Sequence, residues 1–485
     1  MKHLSEILSS TEVISFSATE DHTITGLTYD SRTVTEGNCF FAVRGTQSDG
    51  HDYIPRAVEA GAVAVVCEQE PEKKSDGVSY IVVADTNKAM ADMAAAYYDH
   101  PSRELHLVGV TGTNGKTTIA TLLYDLYRRM GYRAGLISTV VYRIDTREIP
   151  STHTTPDAIR LNAMLREMVD CGCDYCFMEV SSHSLVQDRV RGLKFRGALF
   201  TNLTHDHLDY HGTYAEYIKA KKLLFDRLDK QAFALVNVDD RNGEVMVQNC
   251  RAHVVRYSLR QMADYRAKVL EMLFDGMLLR IDSEEVWVSF LGRFNAYNLL
   301  CVYGAAVELG ADKGEVLQAL SALHSVSGRF EPIRSEGGIT AIVDYAHTPD
   351  ALKNVITTIN DIRRTDNRLI VVCGCGGDRD KSKRPKMGEI ASAEADIAIF
   401  TSDNPRSESP EAILDDMMQG VVATARVLRI TEREQAIDTA VMMAEAGDII
   451  LVAGKGHETY QIVGSERRHF DDREQLRKAF DKMNK

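Results

Sequence analysis

No apolar run in this 485-residue chain approaches the roughly 18 residues that a membrane-crossing helix needs; stretches such as residues 61–66 have the length of a core strand. The first ten residues lack the basic segment followed by an apolar core that marks a secretory signal. Positive charge is in deficit. The 57 Lys and Arg against 70 Asp and Glu leave a formal charge of −13, which argues against a general binder of nucleic acid or membrane surfaces. Any anionic substrate must then be held by local features working against that field. Repeats, low-complexity tracts and long Pro/Gly/Ser linkers are missing too. The nine cysteines are an odd number scattered over a long chain, which fits free thiols in a reducing compartment, so a cytoplasmic location is expected.

What is present is ordinary globular composition, 44% hydrophobic and 26% charged, with length for about three domains. Residues 1–101 mix short β-like runs (39–43, 63–67 and 80–83) with an alanine-rich helix near 88–98, which His100-Pro101-Ser102 ends. Residues 102–329 open with a strand at 105–110, a glycine loop and a helix. The apolar positions of that helix, Ile119, Leu122, Leu123, Leu126 and Met130, share one face. Buried-type strands at 175–180, 198–203 and 233–238, separated by helices, indicate a largely parallel sheet. A third pattern follows Gly328-Arg329-Phe330-Glu331-Pro332: in residues 330–485, strands at 340–344, 369–373, 397–401 and 448–453 alternate with helices such as 351–362. The expected fold is α/β in three domains: a smaller amino-terminal one, a central P-loop-type mostly parallel sheet and a carboxy-terminal Rossmann-like unit. Open sheets bind ligands beyond the carboxyl ends of their strands, where the loops 374–384, 402–406 and 454–458 fall.

The segment Gly109-Val-Thr-Gly-Thr-Asn-Gly-Lys-Thr-Thr118 joins strand to helix. Its glycines let backbone N–H groups and the helix N-terminus face one anion. Lys116 adds a charge for the β/γ-phosphates, and the Thr117 hydroxyl suits Mg²⁺. With glycines at 109, 112 and 115 the spacing departs from G-x-x-x-x-G-K-[ST]. No Asn-Lys-x-Asp motif that would read guanine is present, so ATP is favoured. Glu179 at a strand end could hold the Mg²⁺ that bridges nucleotide oxygens. His205-Asp-His-Leu-Asp-Tyr-His211 is a dense set of ligand types, for which oxygen-rich surroundings favour Mg²⁺ over zinc. Cys171, Cys173 and Cys176 have no matching second pair and read as buried free thiols; Cys373 and Cys375 likewise carry no redox signal. Read alone, Lys219, Lys221 and Lys222 form a solvated helical face.

Together these motifs resemble the Mur ligase family, the ATP-dependent amide-bond ligases of peptidoglycan precursor synthesis. Thr111-Gly-Thr-Asn-Gly-Lys-Thr-Thr118 is similar to the family's phosphate loop. Glu179-Val-Ser-Ser-His183, Asn202-Leu-Thr-His-Asp-His-Leu-Asp209, Asn295-x-x-Asn298 and Asp344-Tyr-Ala-His347 follow in family order. Four further segments resemble the branch that adds the third peptide residue: Tyr29-Asp-Ser-Arg-Thr-Val34, Gly37-Asn-Cys-Phe-Phe41, Asp49-Gly-His51 and Thr154-Thr-Pro-Asp157. Asp403-Asn404-Pro405-Arg406 resembles the form using meso-diaminopimelate rather than lysine. A guanidinium pairs in bidentate fashion with the carboxylate by which the two amino acids differ.

The resemblance implies that ATP phosphorylates the D-Glu γ-carboxylate of UDP-N-acetylmuramoyl-L-Ala-D-Glu and that the diaminopimelate amine attacks the acyl phosphate. It implies that the phosphate loop, Gly112, Thr113, Asn114, Gly115, Lys116, Thr117 and Thr118, binds ATP together with Asn295, Asn298, Arg329 and His347. Thr117 and Glu179 would hold one Mg²⁺, and His207 a second. Lys221 would be carbamylated by CO₂, turning an ammonium into an anionic ligand; Lys222 is its neighbour. Ser31, Thr154, Thr155, Ser181, Gln187 and Arg189 would meet the UDP-sugar peptide. Arg379, Asp403, Asn404, Pro405, Arg406, Gly454 and Glu458 would meet diaminopimelate. The domains would accordingly bind the UDP-sugar (1–101), ATP (102–329) and the amino acid (330–485), closing about a hinge near 327–332, in a monomer without nucleic-acid or membrane partners. A lysine-adding ligase, a folylpolyglutamate synthetase and a non-catalytic nucleotide switch remain alternatives.

Overall fold

A computed structural model describes every residue except 18, 19, 46, 47, 205 and 207, and only the backbone of 208 and 209. Three large sheets organise it. The first has five strands in the order Ser15–Ser17, Ser79–Val82, Ala62–Cys67, Asn38–Phe41, Gly26–Thr28, parallel except for the first. The second has eleven strands. Its parallel centre runs Ala134–Ile137, Tyr175–Glu179, His106–Thr111, Gly197–Phe200, Phe233–Asn237, His253–Ser258. The third has six strands and is parallel apart from its edge strand Glu331–Arg334. Ile449–Ala453 lies between Thr340–Asp344 and Leu369–Cys373, followed by Ile397–Phe400 and Val427–Arg429.

The central strands are mostly buried because helices cover both faces, as parallel sheets require. Helices Lys116–Arg129 and Arg293–Glu308 share a core on one side. Ala158–Asp170 and Tyr214–Asp226 pack on the other. Ile119, Leu122, Leu123 and Leu126 are fully buried, the face that the spacing predicts. The third sheet is covered in the same way, by Pro349–Ile362, Lys383–Glu394 and Pro410–Met418 on one face and Arg433–Met443 and Asp472–Met483 on the other.

The second sheet also carries antiparallel strands at both ends, beyond the parallel pattern that the hydrophobic runs predict. Val141–Ile144 pairs with Arg147–Pro150, and Gly276–Ile281 with Tyr265–Leu273 and Glu284–Val288. Two of these hairpins turn on Asp145 and Asp282, at φ +51° and +53°. Aspartate tolerates that left-handed region, but without a following glycine it is a weak turn signal.

Candidate functional site

The second and third sheets present the carboxyl ends of their strands to one another, and a cavity of 480 Å³ lies where they meet. Asn114, Gly115, Thr118, Asn295 and Asn298 line it from the middle of the chain, and Arg329, Tyr345 and His347 from beyond. Gly112 and Gly115 adopt φ +147° and +89°. A Cβ would lie 1.9 Å from Thr201 Oγ1 at the first and 2.7 Å from Asn298 Oδ1 at the second, so these positions need glycine. The end of the strand Gly197–Phe200 pins the loop: Thr113 N donates to Asn202 O (2.8 Å), Asn114 N to Asn202 Oδ1 (3.0 Å) and Thr201 Oγ1 to Asn114 O (2.6 Å).

Lys116 Nζ donates to Gly112 O and Thr113 O, both at 2.9 Å. Burial depresses its pKa, with the charges of Glu179 and Asp206 opposing that effect. Thr117 is buried, and its Oγ1 accepts from Arg329 Nη2 at 3.1 Å. Glu179 is 1% exposed; its oxygens accept from Thr139 N (2.6 Å) and Thr139 Oγ1 (3.2 Å), and among the described residues it has no ion pair. A buried carboxylate so placed fits a cation. Thr139, which aims it, was not foreseen.

The three lysines of the helix Tyr214–Asp226 do not form one solvated face. Lys219 is exposed, Lys222 pairs with Asp226 and Lys221 is 1% exposed, its Nζ donating to Gly112 O at 2.7 Å over the Tyr217 ring (4.7 Å). The helix therefore turns Lys221 into the phosphate loop and Lys222 away. Burial, then the nearby Lys116 charge, holds the Lys221 ammonium well below its ordinary pKa, against the pull of Asp206. His207, expected as a second metal's ligand, lies outside the described residues. Among the described residues, no group of three or more His, Cys, Asp or Glu is placed to hold a metal ion. Cys171 is exposed and Cys173 and Cys176 are buried, all three as free thiols.

Most of the residues expected at the UDP-sugar peptide form one network. Thr155 Oγ1 donates to Glu179 O (2.8 Å) and accepts from Ser181 N (3.2 Å), while Thr154 Oγ1 accepts from Thr139 Oγ1 (3.0 Å). Arg189 donates to Thr155 O (2.7 Å) and to Gln187 Oε1 (2.6 and 3.0 Å). Ser31 is buried on a loop of the amino-terminal segment. Its neighbour Tyr29 is near enough to Asp157 and Arg189 for their charges to act on it, burial being the main cause of its raised pKa.

The carboxy-terminal cluster closes around a lysine that the sequence reading passed over. Lys455 is fully buried, its Nζ 3.1 Å from Asn404 Oδ1, 3.4 Å from Glu458 Oε2 and 3.5 Å from Asp403 Oδ1. Asn404 Nδ2 donates to Glu458 Oε2 (2.8 Å), and a Cβ on Gly454 would lie 3.0 Å from Asp403 Oδ2. Burial raises the Glu458 pKa, and the Asp403 charge adds to it. Arg379 and Arg406 flank Gly376, where a Cβ would be 3.0 Å from Arg406 Nη1 and 3.8 Å from Arg379 Cγ. Arg406 sits at φ +53°, a conformation retained where surroundings enforce it, and donates to Gly377 O at 2.7 Å. Pro405 O faces Gly377, where a Cβ would be only 1.9 Å away.

The Mur ligase middle-domain model matches residues 110–306, the Mur ligase glutamate ligase domain 328–456 and the Mur ligase family catalytic domain 23–98. A UDP-N-acetylmuramoyl-L-alanyl-D-glutamate–2,6-diaminopimelate ligase of Bacteroides fragilis is 53% identical over 479 residues, covering 98% of this chain and 99% of that one. The chain belongs to the Mur ligase family. The ligase of the same name from Geobacillus kaustophilus is 44% identical over 467 residues, 94% of each chain. A solved structure bearing that name superposes on this Mur ligase with TM-score 0.70 at 33% identity, covering 100% and 99% of the two chains. A Mycobacterium tuberculosis folylpolyglutamate synthase shares only the fold, at 18% identity and TM-score 0.60 over 75% of this Mur ligase and 91% of that chain.

Proposed function

We propose that this Mur ligase joins meso-diaminopimelate to the D-Glu γ-carboxylate of UDP-N-acetylmuramoyl-L-Ala-D-Glu at the expense of ATP, in peptidoglycan precursor synthesis. Residues 1–101 bind the UDP-sugar, 102–329 ATP and 330–485 the amino acid, in a cytoplasmic monomer. Transfer of the γ-phosphoryl group to the carboxylate gives an acyl phosphate and ADP. The free amine then attacks its carbonyl and expels inorganic phosphate. This chemistry requires positioning and charge neutralisation more than covalent help. Lys116 and the loop N–H groups take the phosphates, and Asn295 and Asn298 the nucleoside side. Thr155, Ser181 and Arg189 orient the peptide beside Glu179. Thr117, Glu179, His207 and a carbamylated Lys221 are the groups that would hold Mg²⁺, whose charge offsets that of the phosphates.

The observation that carries the amino-acid assignment is the pairing of two arginines, Arg379 and Arg406, at Gly376 with the Asp403–Asn404–Glu458 cluster. Cations for a second carboxylate stand beside anions for an ammonium. Phosphate release with ATP, Mg²⁺ and the UDP-dipeptide is expected with meso-diaminopimelate and not with L-lysine. Turnover with lysine alone would keep the ligase and discard the role of Arg406. No turnover with either, in protein that binds ATP, would bring forward a different acyl acceptor.

A further inference from the structure

We infer that Tyr345 and His457 are positioning residues that aim Arg329 at the phosphate loop, linking the amino-acid loop to the nucleotide site; the amino-acid half rests on the function proposed above. Residues 454–458 supply Gly454, Lys455 and Glu458 to the amino-acid cluster, yet Gly456 and His457 face another way. A Cβ on Gly328 would lie 2.0 Å from His457 N, and one on Gly456 would lie 2.6 Å from Gly328 O and 2.7 Å from Tyr345 Cβ. The loop, the hinge segment and Tyr345 are thus in backbone-close contact. The ring of His457 lies 5.0 Å from that of Tyr345, and Tyr345 in turn carries the Arg329 guanidinium 4.5 Å from its centroid. Arg329 Nη2 ends the chain on Thr117 Oγ1, at 3.1 Å.

Two unpartnered atoms point to purpose rather than packing. Arg329 Nε is buried without an acceptor, and among the described residues no carboxylate pairs with this arginine. Its direct contacts are the aromatic face beneath it and Thr117, with the charge of Asp344 acting from farther away. His457 Nδ1 is buried without a partner too, so among the described residues this nitrogen secures no backbone group. Burial, then the charges of Arg329 and Arg473, pushes its pKa down to about 3, which leaves a neutral ring that does not repel Arg329. Displacement of the 454–458 loop moves His457 and Tyr345 and, through them, the guanidinium at the phosphate loop.

Calorimetric affinity for ADP and for a non-hydrolysable ATP analogue, with and without meso-diaminopimelate, tests this on the intact protein, with thermal melts to verify folding. Tyr345→Phe keeps the ring face and is expected to keep nucleotide affinity within about twofold; Tyr345→Leu is expected to lose about tenfold. His457→Lys, which sets a charge beside Arg329, should behave like Tyr345→Leu. Diaminopimelate should tighten nucleotide binding in the wild type and in Tyr345→Phe but not in Tyr345→Leu. Equal losses in Tyr345→Phe and Tyr345→Leu, or a folded Tyr345→Leu with unchanged nucleotide affinity, would overturn the inference. A wild type that binds nucleotide but not diaminopimelate would instead remove the amino-acid assignment, and the Tyr345 variants would still decide the positioning role.

Discussion

Lys221, Arg433 and Lys455 are three of the cations buried among the described residues, and they are balanced differently. Arg433, fully buried, donates to both oxygens of the equally buried Asp472 at 2.7 Å and to Ala453 O at 3.1 Å, one charge against one. Lys455 faces two carboxylates, Asp403 and Glu458, so its surroundings carry a surplus negative charge. Lys221 lies against a carbonyl, a ring and the charge of Lys116, whose effect together with burial outweighs the attraction of Asp206. A buried charge without its match costs several kcal/mol and persists where a ligand supplies the match. The balanced pair is architecture, whereas the sites of Lys221 and Lys455 are unbalanced with opposite signs. An anion, phosphate or the carbamate that CO₂ would form on Lys221, relieves the first, and an ammonium relieves the second.

Removing charge from the positive site should have the largest effect. Lys116→Ala is expected to lower phosphate release by about 10³-fold; where Lys221 is an ammonium, the melting temperature should stay unchanged or rise, since the change removes a like-charge neighbour of Lys221. A loss below about tenfold would break the contrast. The balanced pair should respond the other way round. Asp472→Asn strands Arg433 in the core and should cost about 3–5 kcal/mol of stability, read as a lowered midpoint in denaturant, with KM values near wild type in whatever protein stays folded. A melt indistinguishable from wild type would mean that the pair is not structural.

These differences were only partly legible in the sequence. The α/β alternation, the strands that carry the site loops and the buried face of Lys116–Arg129 follow from hydrophobic period and glycine placement, because local chemistry dictates them. Lys455 was invisible because, flanked by Gly454 and Gly456, it reads as a solvent-facing loop residue. Only the packing of Asp403 and Glu458 around it reveals a buried charge. The Lys219–Lys221–Lys222 triplet failed for a related reason. Composition assigned all three to water, but which one faces the phosphate loop is set by the rotation of the helix Tyr214–Asp226 against Gly112. Arg329 and Tyr345 stood within quoted motifs, yet their stacking joins segments distant in sequence.

At the surplus-negative site the flanking arginines sharpen the comparison. On the proposed function, Arg406 pairs with a second carboxylate, so Arg406→Leu should raise KM for meso-diaminopimelate about 10- to 100-fold, the worth of a charged hydrogen bond. KM for ATP should stay unchanged. A parallel rise in both would mean that the left-handed Arg406 turn had collapsed and that its charge was not being read.

The smallest expected effect is one of pH, and its sign separates binding from stability. Burial and the Asp403 charge raise the Glu458 pKa above 4.5. A carboxyl whose folded pKa is raised contributes stability that is fully present below its unfolded value and is lost as pH rises through the folded one. The free protein should therefore lose a small increment of stability as Glu458 ionises. Ammonium binding requires that same ionised carboxylate, so KM for the amino acid should fall by a few-fold as pH rises through the raised Glu458 pKa, while KM for ATP does not follow it. Glu458→Gln should weaken amino-acid binding throughout and flatten both trends together. A wild-type KM that rises with pH across this window would show that Glu458 does not meet the ammonium, and the surplus charge around Lys455 would then need another counterpart.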